Sequence, residues 1–395
     1  MAIDIVQDIQ DQSGGLNWIA AYAQNIIIWK DDTAPNDTLY GEIEVDVVGG
    51  GDATIISKLT PNADNEIVYD LSEVLMSYLE KIEDTNNYDD SSLNKEDILL
   101  YEKVVVTLRT YSSTEMQSES DYPISLYVTR GVMQINPLYA DYAANPYTQY
   151  YQMAEGRYVA LALLPDRTLP DENQRMVIWK GYPQTVSLLC DVTILTEGDS
   201  KLVSINATGT NTAAKKLFHL YLQNGDGTLP AYITGGSLEI TIEDRPTACT
   251  IDYEIKDECG VYMKWLNHKG GYSYWLFSPA YTIGENTSAV DEMPMEVTTM
   301  AAIGNQMPTA YQGAKVQTIR ATGLSQWQME HVQEMAKSLY VVQYLGEHNT
   351  AFTTYDKMWQ RMHVASSSVT IADTKKKTYN VAFNLVLPQL NYPRQ

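Results

Sequence analysis

Cysteine is scarce in this sequence: Cys190, Cys249 and Cys259 are the three in 395 residues. Three irregularly spaced thiols cannot build a disulfide framework, and there is no C-x-x-C pair to begin a zinc or redox motif. Long apolar runs are missing too, and nothing approaches the roughly 18 residues of a membrane span. The opening residues, Met1 to Asp8, carry neither the basic segment nor the apolar core of a secretory signal, so a protein made in a cytoplasm is expected. Basic residues are outnumbered, with 27 Lys plus Arg against 50 Asp plus Glu and a net charge of −23. That balance disfavours both nucleic acid and anionic membrane as partners, since each calls for a basic surface. G-x-S-x-G, G-x-x-x-x-G-K-[ST] and G-x-G-x-x-G do not occur, which removes the usual marks of an acyl-transfer nucleophile, a P-loop and a dinucleotide site.

What the chain does have is tyrosine: 29 Tyr and 7 Trp against 4 Phe. Tyrosine has an apolar body and a polar tip, which suits β-sheets and half-wet interfaces. Hydrophobic residues make up 44%, enough for ordered cores. The length fits two or three domains.

The pattern along the chain is mainly that of short strands. Asn25–Lys30, Gly41–Val48, Ala53–Leu59, Val104–Tyr111 and Ile124–Arg130 are β-branched or alternating runs set between Gly- and Pro-containing turns. One helix interrupts them: Leu71, Val74, Leu75, Tyr78 and Leu79 recur at helical spacing, with Asp70 as N-cap and Glu73 at the capping-box position. Residues 82–97 are polar and acidic and read as a loop. Residues 136–157 form a Tyr-rich connector. Strand signals resume over 158–164, 175–179, 185–192, 202–206, 216–222, 238–242 and 249–256. Residues 283–310 carry few signals. A last unit follows, opened by a strand at 315–321. Its helix is capped by Ser325 and Gln328, stapled by Leu324 and Met329, and buried along Met329, Val332, Ala336 and Leu339. Strands at 339–345, 361–369 and 378–387 close it. The expected fold is mainly β: two β-sandwich-like domains (1–135 and 158–282) followed by a small α+β C-terminal domain (283–395).

The densest aromatic stretch is Cys259–Ser278. Two apolar arms flank Asn267-His268-Lys269-Gly270-Gly271, whose glycines suit a tight antiparallel turn. Alternation puts Val261, Met263 and Trp265 on one face of the first arm and Tyr262, Lys264 and Leu266 on the other. Neither face is polar throughout, so both are buried or serve as contact surface. Tyr262, Trp265, His268, Lys269, Tyr272, Tyr274 and Trp275 are the subunit-contact candidates, with His268 and Lys269 at the tip.

Other chemistry has weaker support. Cys249, Cys259 and His268 lack the spacing of zinc ligands. Asp84, Asp89, Asp90 and Asp226 do not match a calcium loop. Glu254, Asp257 and Glu258 lie near aromatics, as carboxylates in sugar grooves do, but nothing gives any of them a partner carboxylate or a raised pKa. No cofactor, no metal and no enzymatic activity are expected. A carbohydrate-binding or adhesive use of the aromatic hairpin stays open as the alternative.

The hairpin also carries a resemblance. Trp265-Leu266-Asn267, Gly270-Gly271 and Tyr274-Trp275-Leu276-Phe277 together resemble a W-L-N-x-x-G-G-x-x-Y-W-x-F pattern of uncharacterised virion or tail structural proteins of Bacteroidetes phages and prophages. Tyr69-Asp70-Leu71-Ser72-Glu73-Val74-Leu75 is similar to a second segment of those proteins. The order of the helix after Ser325, Met362-His363-Val364 and Thr378–Phe383 is similar to a third. The resemblance covers about a third of the chain, in patches. It implies a structural subunit located in the virion and no catalytic residues; an acidic, tyrosine-rich β protein without active-site motifs independently fits a subunit that assembles with copies of itself into a ring, and self and other virion proteins are the expected partners.

Overall fold

A computed structural model of the chain describes residues 3–7, 18–32, 35–47, 54–79, 94–96, 101–112, 115–121, 126–131, 160–162, 176–190, 193–195, 202–206, 216–222, 237–242, 249–268, 270–294, 306–345, 359–365 and 378–387. The connector at 136–157 and most of the acidic stretch at 82–97 lie outside these residues, as do Asp84, Asp89, Asp90 and Asp226. The described fold is mainly β, with several sheets and two short α-helices.

Contacts divide the chain into two compact units. The first holds 1–257 with 267–273, and the second 258–266 with 274–395.

The first unit opens with two facing sheets. One is β1 (Ile3–Gln7), β3 (Ile26–Asp31) and β6 (Ile67–Asp70) in that order. The other runs β2 (Trp18–Ala20), β10 (Leu126–Thr129), β8 (Tyr101–Ser112), β4 (Tyr40–Val47) and β5 (Ile55–Leu59), with β9 (Glu115–Asp121) also on β8. Alternation sends Ile43, Val45 and Val47 of β4 and Val104, Val106 and Leu108 of β8 inward, onto Ile27 and Trp29 of β3. Helix α1 (Ser72–Tyr78) closes this core with Val74 and Leu75. The strands at 26–31, 40–47, 55–59, 101–112 and 126–129 fall where the alternation predicts them.

Two more sheets follow. In the first, β11 (Ala160–Ala162), β13 (Thr185–Cys190), β16 (Lys216–Tyr221) and β7 (Asn94–Glu96) are neighbours in that order. In the second the order is β12 (Met176–Trp179), β18 (Cys249–Lys256), β17 (Ser237–Ile242), β15 (Leu202–Asn206) and β14 (Thr193–Leu195). The β7 strand lies within the stretch read from sequence as an acidic loop, and it pairs antiparallel with β16.

The second unit holds two four-stranded sheets. One is β20 (Tyr272–Phe277), β19 (Val261–Leu266), β23 (Val341–Tyr344) and β24 (Trp359–Arg361). The other is β21 (Thr282–Pro294), β22 (Gln306–Leu324), β26 (Tyr379–Val386) and β25 (His363–Val364). Helix α2 (Gln326–Glu334) follows β22. Because β19 pairs with β23, the hairpin arms belong with the C-terminal part of the chain, although the sequence reading assigns them to the 158–282 domain.

Three local expectations change. Asp70 does not cap α1: the N-cap is Leu71, with no side-chain cap, and the Asp70 carboxylate accepts the backbone N–H groups of Asn25 and Ser72. The buried stripe of α2 stops early. The helix tightens into a 3-10 turn at Met335–Lys337, which buries Met335, leaves Ala336 half-buried and exposes Leu339. The third concerns 283–310, where the sequence carries few signals: Thr282–Pro294 and Gln306–Leu324 form a long antiparallel ribbon.

Candidate functional site

The aromatic hairpin is built as its sequence implies, and every arm residue is buried. On one face Trp265 packs 5.1 Å from the His331 ring of α2, and Trp275 packs 6.0 Å from it. His331 is fixed there by a hydrogen bond from Nε2 to the Tyr274 carbonyl, at 3.2 Å. On the other face Tyr262 stacks on Tyr274 with ring centroids 5.9 Å apart, and Tyr344 and Trp359 complete the cluster. The Lys264 side chain lies on this face. It is fully buried, with Nζ 5.0 Å from the Trp359 ring centroid. Burial holds its amine well below the ordinary lysine value.

The turn is closed by its own polar groups. Asn267 N–H donates to the Gly271 carbonyl at 2.8 Å, and Gly270 N–H donates to the Asn267 carbonyl at 3.0 Å. Gly271 N–H donates to the Asn267 side-chain oxygen, and the Asn267 amide donates to Ser273 Oγ. Gly270 has φ +89°, and a Cβ placed there would stand 3.1 Å from Gly131 N and from Thr129 Cβ. Tyr272 N–H donates to Ser187 Oγ at 3.1 Å. The tip therefore packs against 129–131 and 187 and does not project freely.

Of the subunit-contact candidates, Tyr262, Trp265, Tyr272, Tyr274 and Trp275 are all buried. Their packing is with the chain's own residues. A sugar stacks on an exposed ring face, and neither tryptophan offers one. His268 is half-buried and makes contacts of its own, while Lys269 lies outside the described residues. The carboxylates near the hairpin are placed simply. Glu254 pairs with Lys256 at 3.1 Å and Asp257 with Lys180 at 3.5 Å, both at the surface. Cys259 is an exposed free thiol, and among the described residues no group of three or more His, Cys, Asp or Glu side chains gathers as metal ligands.

A second feature has no counterpart in the motif reading. Among the described residues, strand β21 is the edge of its sheet. Its partner β22 is covered on the far side by β26 only from Val316 to Leu324. From Glu285↔Lys315 out to Pro294↔Gln306 the ribbon has two strands among the described residues, about 30 Å of chain at roughly 3.4 Å per residue. Tyr281 and Ile283, two residues apart at the base of β21, are each more than half exposed. Gly284 between Ile283 and Glu285 has nothing within 4 Å of where a Cβ would stand. Glycine in a strand marks a place where another backbone can approach closely.

No protein-family model matches this chain, and no curated protein sequence matches it.

Proposed function

We propose that this chain is a non-enzymatic structural subunit of a bacteriophage virion, a tail, baseplate, hub or connector component that assembles into a closed homo-oligomeric ring. The observation that carries the reading is the β21–β22 ribbon. A two-stranded ribbon is marginal by itself in water, and the regular part of its edge strand, Thr282–Ala289, presents a row of backbone donors and acceptors. A chain that keeps such an element has a use for it in binding another polypeptide.

Two further points support the reading. The resemblance of the hairpin and of the C-terminal segments is to virion structural proteins. The strongly acidic composition favours protein partners over nucleic acid and over anionic membranes.

Sedimentation velocity of the purified full-length chain tests the assembly half. The expected outcome is a discrete oligomer whose population grows with concentration; a chain that stays monomeric up to millimolar concentration refutes it. Mass spectrometry of purified particles tests the location, with peptides of this chain expected in the copy number of a ring component.

A further inference from the structure

Two sheet edges in this chain are complementary. Edge β21 exposes Tyr281 and Ile283 and carries Glu285, Asp291 and Glu292 with no Lys or Arg. From 281 to 314 the chain has four carboxylates and no basic residue. Edge β5, in the first unit, pairs among the described residues with β4 alone and exposes Ile56 and Lys58 on its outer face. Lys58 is held loosely, with Glu42 at 3.8 Å and the Tyr40 ring at 5.3 Å, and its side chain is 65% exposed.

Both edges place an isoleucine two residues before a charged side chain of opposite sign, Ile283 before Glu285 and Ile56 before Lys58. In-register parallel pairing of β21 with a second β21 would set carboxylates against carboxylates, which is unfavourable. The distal part of β21 is also blunted, by irregular register between Ala289 and Glu292 and by Pro294. The regular part, Thr282–Ala289, is long enough to cover the five residues of β5.

We infer that the β21 edge of one copy pairs in parallel with the β5 edge of a second copy, with Ile283 beside Ile56 and Glu285 beside Lys58. The contact uses a different edge on each copy, so it is heterologous and propagates into a ring or filament. Gly284 lets the incoming backbone approach closely. Glu285 faces Lys315 across the ribbon and Lys58 has Glu42, so the charge pair sets register and orientation, while the strand hydrogen bonds and the isoleucines hold the contact.

This inference rests on the assembly reading and fails separately from it. The full-length chain is compared with two double variants, Ile283→Lys/Glu285→Lys and Ile56→Glu/Lys58→Glu, each checked for fold by circular dichroism. In sedimentation velocity each variant alone is expected to associate at least about tenfold more weakly, from like charges set face to face. An equimolar mixture of the two recovers oligomers of mixed composition, because each acidic edge then meets a basic one. If the wild-type chain assembles and both variants assemble equally well, the edges are not the contact and the assembly reading stands. Variants that lose assembly without recovery on mixing overturn the pairing of these two edges. A wild-type chain that never assembles removes both readings. Hydrogen exchange on the wild-type chain needs no variant: amides of 282–289 and 55–59 gain protection together between dilute and concentrated samples, and unchanged exchange in either segment refutes the pairing.

Discussion

Lys264 sits fully buried in β19 with an indole ring 5.0 Å from its amine. Burial disfavours the charged form and lowers its pKa, while the Trp359 face favours the ammonium. Between the lowered value and 10.5 the unfolded chain binds more protons on this amine than the folded chain does. Stability therefore rises with pH across that window, and the cost of burying the amine is fully present below it and gone above it. Lys264→Met keeps the length and apolar stem. It is expected to be more stable than wild type in urea unfolding at pH 7, with the gap closing by about pH 10.5. A variant less stable at pH 7 would mean that the polar contacts of the amine outweigh its desolvation.

Gly270 makes a second residue-scale case. It needs a positive φ and also close approach to 129–131. Gly323 has φ +71° with nothing within 4 Å of its Cβ position. Gly270→Ala is expected to cost about 2–3 kcal/mol in equilibrium unfolding and Gly323→Ala about 1 kcal/mol, the difference isolating the packing of the tip. Part of this site is readable from sequence. A Gly-Gly turn between two arms without a polar face gives the hairpin and its burial on both sides. What fills those faces is not readable, because His331, Tyr344 and Trp359 lie 60 to 100 residues away, roughly, and carry no local signal toward the arms.

At the scale of elements, local chemistry was legible and long-range chemistry was not. The α2 capping box forms as read: Ser325 Oγ accepts Gln328 N–H, and Gln328 Oε1 accepts Ser325 N–H at 3.0 Å. Ser325→Ala is expected to lower stability by about 1 kcal/mol in thermal or urea unfolding, and Ser325→Asp to recover most of it. The same logic fails at Asp70, whose carboxylate is drawn to the N–H of Asn25, 45 residues away. Strands with β-branched alternation, such as Tyr40–Val47 and Tyr101–Ser112, announce themselves because one face is buried. The β21–β22 ribbon does so only over 315–321 of β22; elsewhere its Thr, Gly, Met and Ala residues show no period-two contrast, and the pairing itself fixes the strands.

For the whole molecule, the net charge is −23, and among the described residues no helix is long and apolar enough to cross a membrane. Division into units is the least legible property of the chain. Strand order crosses the boundaries that composition suggests, with β7 joined to β16 and the hairpin arms joined to β23. Each such pairing carries no mark in the segments it joins.

The β7–β16 pairing sets a clock on synthesis. About 120 residues separate Glu96 from Lys216, the near ends of the two strands. At roughly 5–20 residues per second, the ribosome takes about 6–24 s to deliver the second strand after the first. For that interval Asn94–Glu96 has been made while the strand it pairs with has not.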